Sequence, residues 1–150
     1  MLTFSHAMVG LALFVLLGAG PPVRAGEVLG VEVFTTAGRP VTGAADDRLR
    51  AVGVTTYAVD GLERFESRLS EGLPADAKAA KAEALRRVQQ LDDVHLAPAK
   101  SAAIGLAKAV QYGVDRYPAI VFDRRSVVYG VTDLVEALDR YDAWQREQAR

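Results

Sequence analysis

A mixed α/β domain is the fold class this sequence predicts, and three observations predict it. Two β-branched apolar runs flank a stretch with helical spacing, the opening of a βαβ unit. A proline leads into two further short apolar runs separated by a polar turn, which is the pattern of a hairpin. A last amphipathic stretch, preceded by a capping pair, closes the chain as a helix.

Taken in order, Val28 to Thr36 (Val-Leu-Gly-Val-Glu-Val-Phe-Thr-Thr) reads as a mostly buried strand, broken by Ala37-Gly38-Arg39-Pro40. A weakly amphipathic helix is expected over Val41 to Val52, with Val41, Ala45, Leu49 and Val52 on one side and Gly53 as its stop. Val54 to Val59 reads as a second strand. After Asp60-Gly61, helical spacing returns with Leu62, Phe65 and Leu69 on one face, and Gly72-Leu73-Pro74 interrupts it. Asp76 to Leu91 carries a stripe of Ala77, Ala80, Ala84, Leu85, Val88 and Leu91. Ala99 to Val110 carries another, of Ala99, Ala102, Ala103, Leu106, Ala107 and Val110, with Gly113 just beyond. Ala119 to Phe122 and Val127 to Gly130 form the hairpin around Asp123-Arg124-Arg125-Ser126. Thr132-Asp133 caps a final helix that turns Leu134, Val135, Leu138 and Tyr141 inward. The expected order is β-α-β-α-α-β-β-α, with the two central helices one bent element or a pair.

The chain has 150 residues, half of them hydrophobic, which fits one domain with a real core. A net charge of −1 directs no strong field at nucleic acid or an anionic membrane. Cysteine is absent, so the chain's own side chains offer no disulfide, thiolate nucleophile, cysteine zinc site or iron–sulfur ligand. The apolar run from Ala7 to Ala19 is shorter than the roughly 20 residues a spanning helix needs. Gly20-Pro21-Pro22 and then Val23-Arg24-Ala25 follow it, so residues 1–25 read as a cleavable export signal and 26–150 as the mature domain.

Two local anchors resemble the thioredoxin superfamily. Val31-Glu32-Val33-Phe34-Thr35-Thr36-Ala37-Gly38-Arg39-Pro40-Val41-Thr42 resembles the first strand and active-site turn of a glutaredoxin, with the Cys-Pro-x-Cys positions on Arg39-Pro40-Val41-Thr42. Tyr117-Pro118-Ala119-Ile120-Val121-Phe122, followed by Gly130-Val131-Thr132-Asp133-Leu134, resembles the cis-proline strand, hairpin and helix cap. The resemblance implies a thioredoxin-like three-layer fold with a mixed sheet. It does not carry oxidoreductase activity, because Arg39 and Thr42 stand at the two thiol positions. The runs Val31 to Thr36, Tyr112 to Phe122 and Val128 to Leu134 are also similar to a family of integrating conjugative elements, whose members are short, exported and encoded among genes of a conjugative type IV secretion apparatus. That similarity implies a non-catalytic periplasmic accessory of DNA transfer. It would work without a cofactor, bind other protein components of the apparatus, contact no nucleic acid and keep no membrane span once its signal is cleaved. The alternative is a chaperone-like peptide binder for pilus or channel subunits.

Beside the resemblance, few residues carry chemistry. His95 follows Asp92 and Asp93, yet adjacent carboxylates at a helix end do not converge and residues 26–150 hold no second histidine, so a solvated helix terminus is the reading rather than a metal centre. No Gly-x-Ser-x-Gly turn supports a hydrolase. Arg39 is expected at the mouth of the first helix, where its charge and the helix amides suit a carboxylate; its plainer role is an exposed turn residue. The thioredoxin-like resemblance implies that Tyr117 and Pro118, joined by a cis peptide bond, lie beside it. Arg39, Pro40, Thr42, Tyr117 and Pro118 therefore form the candidate partner-binding face, with no catalytic, cofactor or metal residue assigned.

Overall fold

The computed structural model describes residues 30–150. The expected export signal and the first residues of the expected opening strand lie outside them. Among the described residues no helix is long and apolar enough to cross a membrane.

Four strands form one mixed sheet in the order β2-β1-β3-β4. β1 (Val31–Thr35) pairs in parallel with β2 (Val54–Ala58), with Val31 opposite Val54 and Thr35 opposite Ala58. It also pairs antiparallel with β3 (Ala119–Phe122), which forms the hairpin with β4 (Ser126–Tyr129). Alternation along β1 feeds two cores, because successive side chains of a strand point to opposite faces. Val31 and Val33 join Leu49, Ile120, Phe122, Leu134, Leu138 and Tyr141 on one side of the sheet. Phe34 joins Tyr57, Ala109, Val114, Ala119 and Val121 on the other.

Among the described residues there are five helices, of which α1, α4 and α5 cover these faces. α1 (Asp47–Val52) and α5 (Leu134–Gln148) supply Leu49, Leu134, Ala137, Leu138 and Tyr141 to the first core. The Phe122 and Tyr141 rings stack there with centroids 4.6 Å apart. α4 (Asp93–Gln111) packs on the second core, and α2 (Gly61–Ser70) packs on α4. α3 (Ala77–Gln89) buries none of its residues.

The α/β class and the hairpin stand as expected, and three details are corrected. Three helices, not two, lie between β2 and β3. The first helix begins at Asp47 rather than Val41, because Thr42 pairs with Asp133, Gly43 takes φ 86° and the Asp46 side chain caps the Arg48 amide. The backbone groups that a helix from Val41 would use are thus committed elsewhere. α4 runs through Pro98 instead of starting after it. Its buried line is Ala99, Ala102, Gly105 and Ala109, whereas Ala103, Ala107 and Val110 of the expected stripe face outward. Leu85 and Val88 of α3 are likewise half exposed.

Small residues on that line set how closely α4 approaches the sheet. A Cβ on Gly105 would stand 2.5 Å from Tyr57 Cβ and 2.8 Å from Tyr57 Cγ. Those atoms are fixed to the strand, so relief requires helix and sheet to separate. Gly105→Ala should therefore destabilise the fold by about 1–3 kcal/mol despite the better helix propensity of Ala. Urea unfolding measures it, and a neutral or stabilising result would contradict this packing.

Candidate functional site

The segment after β1 is held by polar contacts on three sides. The Ala37 amide donates to both Asp60 carboxylate oxygens, at 3.2 and 3.1 Å. The Thr35 hydroxyl, buried at the strand end, donates to the Arg39 carbonyl, and the Arg39 amide donates to Thr36 O at 3.0 Å. Thr42 then forms a parallel bridge to Asp133. Its amide donates to Thr132 O at 2.8 Å and its carbonyl accepts from the Leu134 amide at 3.0 Å. Gly43 is needed next to this bridge: besides its positive φ, a Cβ there would lie 3.1 Å from the Asp133 carboxylate and 3.3 Å from the Leu134 amide nitrogen.

The face expected from the sequence is assembled in part. Arg39 donates through Nη1 to the Tyr117 carbonyl at 3.2 Å, joining residues far apart in the chain. The Tyr117–Pro118 peptide bond is cis, as expected. Pro118 O accepts from the Gly130 amide at 3.0 Å, which places the start of β3 beside the segment leading to Thr132. Arg39, Pro40 and Thr42 are exposed, and Tyr117 is half-buried against the second core. Pro118 is buried, so it shapes the face without presenting a surface. The expected helix amides are not part of it. α1 starts beyond Thr42, and its cap already occupies the Arg48 amide at 3.0 Å.

His95 lies within the first turn of α4. The Asp92 carboxylate accepts from the His95 amide at 2.9 Å and lies 2.6 Å from His95 Nδ1. Asp93 pairs with Lys100 at 2.9 Å. These acids are used for capping and surface pairing, and the described residues contain no group of three or more metal-ligating side chains.

A polar cluster that the sequence reading passed over lies towards the other end of the sheet. Glu32 faces the α4 side of β1 with only 14 % of its side chain exposed. It accepts from Lys108, from Tyr112 Oη at 2.7 Å and, more distantly, from Tyr57 Oη at 3.5 Å. A cleft of about 690 Å³ opens beside it, lined by Thr55, Tyr57, Lys108 and Arg124 among others. Burial acts to raise the Glu32 carboxyl, but hydrogen bonds from Lys108 and Tyr112 and the Lys108 charge outweigh it, leaving the group below its ordinary 4.5. Lys108 is raised by its hydrogen bond to Glu32, and Tyr112 by burial and then by the same carboxylate. Each shift moves a group further from neutrality, away from the values suited to proton transfer at neutral pH. The cue was a lone Glu in the apolar run Val31-Glu32-Val33-Phe34, although its partners lie on a distant helix.

The fold and this site together define a mixed α/β protein with a main-chain-framed surface around Arg39 and Tyr117. Residues 29–147 match the family described as "Protein of unknown function (DUF1525)", and the chain belongs to that family. Comparison with curated proteins returned no match, and neither did comparison with solved structures.

A carboxyl held lower in the folded than in the unfolded chain stabilises fully above its unfolded value, and that contribution is lost as pH falls through the lowered one. Glu32→Gln should cost about 1–3 kcal/mol near neutral pH, because Lys108 loses its carboxylate. The gap to wild type should narrow as pH falls below 4.5. Urea unfolding across pH reads both, and a gap that does not change with pH would contradict the assigned ion pair.

Proposed function

We propose that this protein is a non-catalytic, exported accessory of the conjugative DNA-transfer apparatus of an integrating conjugative element, working in the periplasm by holding another protein component. We further read the fold as thioredoxin-like. The order β2-β1-β3-β4, with one parallel and two antiparallel pairings and a cis proline leading into β3, supports that reading. The motifs from Val31 to Thr36, Tyr112 to Phe122 and Val128 to Leu134 support the conjugative setting by their resemblance.

One observation carries the mode of action. An exposed guanidinium, anchored on the Tyr117 carbonyl and borne by a loop that main-chain bonds tie to α5, forms a rigid polar surface with a half-buried aromatic beside it. Rigid Arg and Tyr side chains bind partners at low entropic cost, and Arg pairs well with carboxylates. A non-catalytic role agrees with the absence of cysteine and with the Glu32 cluster, whose groups are shifted away from neutrality.

The double change Arg39→Ala and Tyr117→Ala, which removes one exposed and one half-buried side chain on two separate loops, should leave the circular dichroism spectrum intact. Recovery of the partner in a crosslinking pull-down from mating donor cells, and conjugation frequency with it, should fall about tenfold or more, the loss that about 1.4 kcal/mol of binding brings. Wild-type capture and transfer by a folded double variant would contradict the proposal. Retention of many unrelated unfolded chains would instead support the chaperone-like alternative.

A further inference from the structure

Among the described residues the sheet has two open edges, β2 and β4. β4 reads Ser-Val-Val-Tyr, with no charge and no proline inside it. Such residues, or a bulge, ordinarily guard an edge against pairing with another chain. Pro118 O accepts from the Gly130 amide, so the hydrogen-bonded pairs of the hairpin alternate from there through Ile120 with Val128 and Phe122 with Ser126. The main-chain groups of Val127 and Tyr129 therefore point outward, towards the position of a fifth strand.

Beside this edge, between β4 and α5, lies a groove of about 470 Å³. Val128 and Tyr141 line it together with Trp144, which is 45 % exposed and whose ring lies 6.0 Å from that of Tyr141. Arg125 and Arg140 complete the lining. No carboxylate among the described residues pairs with Arg125, and Arg140 is engaged only by Glu136 in an exposed i,i+4 pair. Exposed pairs of this kind are worth little and exchange readily. The β2 edge differs: Thr55 and Thr56 are exposed, and in the cleft next to it Glu32 already satisfies Lys108.

We propose that the β4 edge and the Trp144 groove together bind an extended acidic segment of a partner protein. The segment adds as a fifth strand on the outward main-chain groups, seats an apolar side chain against Val128 and Trp144, and gives a carboxylate to Arg125. Each part of the occupant answers one feature: unpaired strand groups call for a strand, the apolar groove for a large side chain, and the unpaired guanidinium for a carboxylate. A second copy of this edge fits less well, since Ser126 to Tyr129 brings no carboxylate to Arg125. This surface is separate from the Arg39–Tyr117 face and does not depend on the role proposed for it.

Trp144 is the sole tryptophan of the chain, so its fluorescence reads this groove directly. The probe is the capped peptide acetyl-Thr-Val-Glu-Phe-Glu-Val-Thr-amide, with its counterpart carrying Lys in place of Glu, titrated into the full chain to about 1 mM. The acidic peptide should shift Trp144 emission saturably and bind at least about tenfold tighter than the lysine peptide. Val127→Pro should abolish binding by removing an outward N–H, and Arg125→Glu should reverse the preference between the peptides. Should Val127→Pro fail to fold, the charge reversal at Arg125 decides. No saturable shift with the acidic peptide, equal binding of both peptides, or an unchanged preference in Arg125→Glu would overturn the proposal. A Trp144 shift that depends on protein concentration without peptide would overturn it in favour of a second copy of the chain.

Discussion

Placing β1 between a parallel and an antiparallel neighbour constrains the rest of the molecule. Both its faces must be covered, so helices are required above and below the sheet, and every side chain from Val31 to Phe34 is committed to one core or the other. Glu32 is the exception that the constraint makes expensive. A carboxylate on that strand loses hydration and needs donors from whatever packs over it. Lys108 in the last turn of α4 and Tyr112, the residue that caps that helix, supply them. The same helix comes close enough to do so because Gly105 faces Tyr57 without a side chain. The ion pair and the glycine contact thus act on one interface, and each supports the spacing the other requires.

Where β1 ends, the constraint passes to the main chain. Thr42 bridges to Asp133, and Asp133 also caps α5 by accepting from the Val135 and Glu136 amides at 2.8 and 3.2 Å. The loop after β1 and the start of the last helix are therefore one hydrogen-bonded unit. Through Gly130 and Pro118 that unit reaches Tyr117, and through Tyr117 it reaches Arg39. Apart from the bond that the Arg39 guanidinium itself makes to Tyr117 O, the frame under the exposed side chains of this loop does not depend on their identity. Side chains placed there can vary in type while their positions stay defined.

Much of the architecture was legible because it rests on local rules. The strands are β-branched runs with clear punctuation, and Asp133 before Leu134 is a capping signal that the structure uses. Boundaries failed where a tertiary bond outcompeted a local one: Val41 to Asp46 has helical spacing but spends its backbone groups on Thr132, Leu134 and a cap. The helical stripe read from Ala99 belongs to a helix that begins at Asp93 and runs through Pro98. The phase of α4 was partly misread because alanines occur around most of the helix, so the apolar pattern alone does not choose a face. Of the candidate face, the meeting of Arg39 with Tyr117 was legible through the resemblance alone. Of the Glu32 cluster only the lone Glu in an apolar run was legible, since the Lys and Tyr that answer that carboxylate are distant in sequence.

Main-chain bonding preforms the surface around Arg39 and Tyr117 in the chain on its own. Amide hydrogen exchange of the unbound protein tests it most directly, residue by residue, at Thr42 and Leu134. Both amides should exchange within about tenfold of the β1 amides, although Thr42 lies in an exposed loop. Exchange of the Thr42 amide at the rate of an unstructured chain, with β1 still protected, would contradict it.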